Sequence, residues 1–328
     1  MKFSSVLTFF LAALTASATP LGLYKRQNVT SGGSTVPVII TGGPAISGSQ
    51  SNVTTTTLFN STSTLNITQL YQIATQVNQT LQSGSSSGII IVTNWRSIET
   101  LSFFCSIVFN TSKTIVITEN YLWGVPILSS SHAEGRGTVV AGSDKVIYSG
   151  VFPPYTVPVG ISNQKEVQWF FDACQPILVA SNSTLRLQYS NFTNAQISSN
   201  TSSASNTSSS ASSGPLVPII YEEGYSQTLI QSLSSSIQGL VVISSGISRN
   251  STVTSWTSVD FPVVYATDGS SSHDGSGIGF LSNTSIPQGA ISAGYLSPIQ
   301  AQTLLSIAIN NQVTGHSELQ DIFPAGQQ

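Results

Sequence analysis

The chain has 328 residues, 40% apolar and 9% aromatic, enough to bury a sizeable core and too many for wholesale disorder. Its 10 basic and 13 acidic side chains give a net charge of −3, and only 7% of the residues are charged. No Lys/Arg cluster is available to neutralise phosphates, which disfavours a nucleic-acid binder and leaves open what keeps so uncharged a surface in water.

Residues 1–18 start Met1-Lys2, run through the apolar stretch Val6–Leu14 and reach Ala16-Ser17-Ala18. A basic start, a short apolar run and a small-x-small site predict a secretory signal peptide, too short to cross a bilayer. Residues 19–35 read as a propeptide or N-terminal linker. In it, Lys25-Arg26 is either a dibasic processing site or an exposed basic pair.

The triplet Asn-x-Ser/Thr starts at Asn28, Asn52, Asn60, Asn66, Asn78, Asn110, Asn182, Asn191, Asn200, Asn206, Asn250 and Asn283. Twelve such triplets behind a signal peptide predict N-glycosylation, and a hydrophilic sugar coat would take over the task of surface charge. No second apolar run of about 20 residues follows, so neither a membrane span nor a lipid-anchor tail is expected. The expected location is secreted or wall-associated.

From residue 36 the pattern alternates short β-branched apolar runs with amphipathic segments. Val36–Ile40, Gly88–Val92, Thr114–Thr118 and Gly137–Ala141 read as strands covered on both faces. Between the first two, Leu70, Ile73, Val77 and Leu81 place an apolar stripe on one face of a helix over Ile67–Leu81, and Ser97–Phe109 reads as a second helix. The tract 197–214 is rich in Ser, Thr and Asn and reads as a linker. Beyond it the expectation is strands at Leu216–Tyr221, Gly239–Ile243 and Phe261–Tyr265, and helices at Ser226–Ser235, Ser297–Asn310 and Glu318–Phe323. The fold class is therefore α/β with a mostly parallel sheet, in two domains, 36–196 and 215–324.

Cys105 and Cys174 either form one disulfide or stay free, and spacing does not choose between these. Two cysteines and three histidines at no metal-like spacing lead to no expected metal or cofactor.

The order of these elements resembles the bacterial-type (type II) L-asparaginase/glutaminase family, which includes secreted fungal members. Ile286–Ile309, with Ala293-Gly294-Tyr295-Leu296-Ser297-Pro298, is similar to the start of that family's late helix, and Glu318–Phe323 to its closing helix. Ile39-Ile40-Thr41-Gly42-Gly43 is similar to its first strand and Thr-Gly-Gly turn, and Gly88–Phe104 to the strand and helix around its second catalytic motif. The resemblance spans nearly all of 36–324. It implies a larger N-terminal domain with a mostly parallel sheet and a smaller C-terminal α/β domain, with hydrolysis of asparagine to aspartate and ammonia through a Thr nucleophile.

The site departs from that pattern. The nucleophile position is Pro44, which has no hydroxyl. The second motif reads Thr93-Asn94-Trp95-Arg96-Ser97-Ile98, without the family's Thr-Asp pair and with bulk at Trp95 and Arg96. The segment matching the family's mobile lid is shorter. By resemblance Lys113 matches the activating lysine and Ser61 the substrate-binding serine, whose Gln and Asp partners are here Thr62 and Ser63. Thr41, Ser47 and Thr54–Thr57 are the hydroxyls nearest in sequence to the lost nucleophile, and Asp260, Asp268, His273 and Asp274 form a second, weaker cluster. The expectation is impaired or lost hydrolysis. The alternative is an active asparaginase or glutaminase with relocated residues.

The resemblance further implies a small amino-acid amide as ligand and an oligomer with shared sites. The groups a neighbouring subunit would contribute are not evident around Ser248-Arg249-Asn250 or Ser272.

Overall fold

Parallel strands need crossover connections, and the apolar runs and helices of this sequence supply them. The computed structural model describes residues 35–44, 52–82, 86–163, 165–174, 178–179, 183, 185, 214–222, 228, 232, 235–244, 255–267 and 279–324. The signal peptide, Lys25-Arg26, the tract 197–213 and most of the helix expected at Ser226–Ser235 lie outside these residues. All described residues belong to one compact unit, Ser34–Gln328.

The first half builds an eight-stranded sheet in the order β2-β1-β3-β4-β5-β6-β7-β8. Its strands are β1 (Val36–Gly42), β2 (Val53–Ser61), β3 (Gly88–Val92), β4 (Thr114–Thr118), β5 (Thr138–Ala141), β6 (Val146–Ser149), β7 (Pro158–Ser162) and β8 (Val167–Trp169). β2 through β5 in this order pair in parallel, whereas β6, β7 and β8 continue antiparallel.

Among the described residues three helices cover this sheet: α1 (Ile67–Gln82), α2 (Ile98–Val108) and α3 (Tyr121–Leu128). Asn66 begins α1 with a reciprocal cap, in which its Oδ1 accepts from Gln69 N–H at 2.9 Å and its own N–H donates to Gln69 Oε1 at 3.0 Å. Gly124 lets α3 lie close on β3, where any Cβ would press on Ile90.

The period-two alternation of the strands divides their side chains between two cores. Ile39, Ile89, Ile91, Ile115 and Ile117 join the core with α1 and α2, while Val38, Ile90, Val92 and Val116 join the core with α3.

The second half builds a four-stranded parallel sheet, β12-β11-β10-β9, from β9 (Ile219–Tyr221), β10 (Leu240–Ser244), β11 (Val263–Thr267) and β12 (Ile291–Ser292). Helices α4 (Pro298–Asn310) and α5 (His316–Ile322) pack beside it. Val241, Val264, Ile291 and Leu304 belong to the same continuous core as Ile89 and Leu101, so the two sheets share buried surface.

Among the described residues, strands β2, β6, β7, β8 and β12 and helix α3 were not evident in the apolar pattern. β2 reads VTTTTLFNS and is largely exposed, and α3 carries Gly124 and Pro126 within eight residues. Cys105 is fully buried in α2 and Cys174 is exposed, and both are free thiols. Burial pushes the Cys105 thiol well above its ordinary range, which leaves it inert.

Candidate functional site

In an open parallel sheet a ligand crevice forms at the carboxyl ends of neighbouring strands whose connections leave in opposite directions. Here that point lies between β1 and β3, since the chain leaves β1 for β2 on one side and returns to β3 on the other. Thr41-Gly42-Gly43-Pro44 ends β1, and Thr93-Asn94-Trp95-Arg96 follows β3.

At these strand ends the chain's own polar groups bond to one another. Asn94 Nδ2 donates to Ser61 O at 2.9 Å and to Ser63 O at 3.0 Å. Ser97 Oγ donates to Ser63 O at 3.1 Å. Gly42 must be glycine because a Cβ there would collide with the Ser61 carbonyl oxygen, and Gly43 turns the chain with φ +91° against Thr93 O. These contacts fasten the Ser61–Ser63 turn over the strand ends.

Two hydroxyls at the strand ends, those of Thr41 and Ser61, are spent in the same way. Thr41 is fully buried and its Oγ1 donates to Val92 O at 3.1 Å. Ser61 Oγ donates to Ser63 O at 2.9 Å. A hydroxyl becomes a nucleophile when a base takes its proton, and these protons are held by backbone carbonyls. The buried Thr93 Oγ1 has no hydrogen-bond partner.

Lys113 and Ser61, which the resemblance places in one site, lie at opposite ends of the parallel strands. Lys113 precedes β4 and its Nζ donates to Leu81 O at 2.8 Å, where it caps the carboxyl end of α1. Ser61 is in register with Gly42 at the carboxyl end of β1. The five residues of β4 alone separate the two ends by about 16 Å.

Trp95 and Arg96 do not fill the crevice. The Trp95 side chain is 67% exposed and the Arg96 guanidinium carbon lies 5.1 Å from its ring centroid, so both stand outside on a 3-10 turn, Trp95–Ser97, that leads into α2. Tyr148 donates to Asp144 Oδ2 at 2.6 Å, and burial pushes its phenol up to about 12. Burial likewise raises Tyr155, with the Glu119 and Asp144 carboxylates adding to the effect. Both phenols therefore stay protonated at neutral pH.

Asp260 is exposed in the second half. Ser47, the lid segment, Asp268, His273 and Asp274, together with Ser248–Asn250 and Ser272, lie outside the described residues. Among the described residues no three His, Cys, Asp or Glu side chains come together as metal ligands, and no helix is long and apolar enough to cross a membrane.

No family model matches the chain. It is 87% identical over 329 residues to the Saccharomyces cerevisiae "Sporulation-specific wall maturation protein", over 100% of both chains. It is 45% identical over 308 residues to the same organism's "Protein YGP1", covering 91% of this chain and 82% of that one. The chain belongs to the family of these two yeast proteins.

This wall maturation/YGP1 family member also has a solved structural neighbour, a probable cytoplasmic L-asparaginase from Campylobacter jejuni. The TM-score is 0.64 at 16% sequence identity, over 88% of this chain and 99% of that one. That likeness establishes an asparaginase-like α/β fold. The role of Asn94 as the fastener of the crevice is new relative to the sequence reading. Its signal lay in the motif itself, in an amide that directly follows Thr93 at the end of β3.

Proposed function

We propose that this protein is a secreted, N-glycosylated member of the wall maturation/YGP1 family that keeps the asparaginase fold and has lost amide hydrolysis. The observation that carries this reading is the hydrogen bonding of the chain's own groups at the strand ends between β1 and β3. Pro44 follows the Gly-Gly turn, Asn94 donates to Ser61 O and Ser63 O, and Thr41 Oγ1 donates a hydrogen bond to Val92 O. Loss of one member of a catalytic unit removes most of its rate, and here the nucleophile and the Thr-Asp pair are both replaced.

The wall-related name of the yeast relative supports a role at the cell wall. Of the described acceptors, Asn52, Asn60, Asn66, Asn110 and Asn283 are exposed and Asn78, on α1, is half-buried. The Asn66 cap uses Oδ1 and leaves Nδ2, the atom that carries a glycan. Two measurements test the reading together. Glycosidase treatment should increase electrophoretic mobility of protein recovered from the wall or medium, and that protein should release no ammonia from L-asparagine or L-glutamine above the buffer rate.

A further inference from the structure

The eight-stranded sheet ends in two unlike edges. β8 is three residues long, Lys165 and Glu166 precede it, and Asp172 follows it. Its Trp169 lies under the Arg136 guanidinium, whose carbon is 4.0 Å from the ring centroid. Short length and nearby charge are two of the devices by which sheets close an edge.

β2 has neither device. It runs nine residues, Val53–Ser61, with no charged residue and no proline, and Thr54–Thr57 are all exposed. Its pairing with β1 is regular from Val36↔Val53 to Ile40↔Thr57, and only then does a bulge shift the register before Gly42↔Ser61. The bulge blunts the carboxyl end of the strand and leaves Val53–Thr57 straight. Among the described residues no strand pairs with the outer side of this stretch, so its backbone N–H and C=O groups face outward there, and β-branched threonines suit an added strand.

Acceptor triplets stand at both ends of this edge, Asn52-Val53-Thr54 and Asn60-Ser61-Thr62, and both asparagines are exposed. None lies within residues 163–174 around β8. We propose that N-glycans on Asn52 and Asn60 close the β2 edge, and that without them β2 pairs antiparallel with β2 of a second copy of this chain. The inference rests on the N-glycosylation reading above. A second copy fits because the edge is self-complementary: a two-fold axis sets threonine opposite threonine, a favourable cross-strand pair, with no like charges to repel.

The donor is an oligosaccharide linked to a lipid diphosphate. Asn Nδ2 bonds to the sugar's anomeric carbon as the sugar–phosphate C–O bond breaks, the lipid diphosphate leaves, and one amide proton passes to a base.

The test compares glycosylated wild type, Asn52→Gln/Asn60→Gln and a control, Asn110→Gln/Asn283→Gln, by light scattering at equal concentration, with site occupancy read by peptide mass spectrometry. The β2 double variant should show about a twofold rise in protein mass over wild type, and the control none. Thr54→Val/Thr62→Ala, which removes the same acceptors through their hydroxyls, should behave like the β2 double variant. Adding Thr55→Lys and Thr57→Lys to Asn52→Gln/Asn60→Gln should return the mass to that of wild type. Unchanged mass in both acceptor-free variants, with Asn52 and Asn60 occupied in wild type, would overturn the proposal while the glycosylation reading stands. Empty Asn52 and Asn60 in wild type would overturn the shield and that reading at these sites together.

Discussion

Ser297 Oγ donates a hydrogen bond to Glu99 Oε1, across 198 positions of sequence. Glu99 lies in the first turn of α2, and Ser297 is the N-cap of α4, where its Oγ also accepts from Gln300 N–H at 3.1 Å. One hydroxyl therefore caps a helix of the second half and holds the carboxylate of a helix in the first.

Burial raises the Glu99 carboxyl above its ordinary range, and the Ser297 bond offsets part of that shift. Between the unfolded value, about 4.3, and the raised folded value, the folded chain binds the extra proton, so stability falls as pH rises through that window. Glu99→Gln should remove this slope and leave Tm at neutral pH equal to or above that of wild type. Thermal melts of both proteins from acid to neutral pH check this, and parallel profiles would refute the assignment.

Ser297→Ala should cost about 1–2 kcal/mol near neutral pH, since it removes an N-cap and leaves the Glu99 carboxylate without its donor. The loss should shrink at acid pH, where Glu99 is protonated. Urea unfolding at two pH values measures the difference.

Lys113→Ala should lower stability by about 0.5 kcal/mol through the lost cap on Leu81 O. The wild-type stability gain should weaken in high salt because the lysine is only half-buried. A variant as stable as wild type at low salt would show that the cap contributes nothing.

Gly42→Ala should destabilise by about 1–3 kcal/mol, because its Cβ collides with backbone at Ser61 that Asn94 holds in place. Asn94→Ala/Gly42→Ala should cost less than the sum of its single variants, since freeing the turn lets it yield. Additive losses would disconnect Asn94 from the turn.

Much of the frame was legible because buried parallel strands write themselves as uninterrupted β-branched runs. Gly88–Val92 and Thr114–Thr118 are strands over the ranges their composition predicts. The helix expected over Ser297–Asn310 is α4, and the structure makes Ser297 its N-cap with Gln300 completing a capping box. β2 was hidden because an exposed edge strand needs no apolar residues, and α3 because Gly124 and Pro126 read as breakers. At the site, the absence of a hydroxyl at Pro44 was plain in the sequence. The position of Lys113 was not, since spacing along the chain does not say at which end of a strand a neighbour's side chain will find its partner. The Glu99–Ser297 bond was equally invisible, because it depends on how the two halves pack.

The central claim is that the strand ends between β1 and β3 no longer hydrolyse an amide. Ammonia release from L-asparagine by the glycosylated protein, measured beside Thr41→Val and Ser61→Ala, tests it most directly. The predicted result is a rate equal to the buffer blank for all three proteins. Saturable ammonia release by wild type that disappears in Thr41→Val or Ser61→Ala would contradict it and place a working nucleophile at the strand ends.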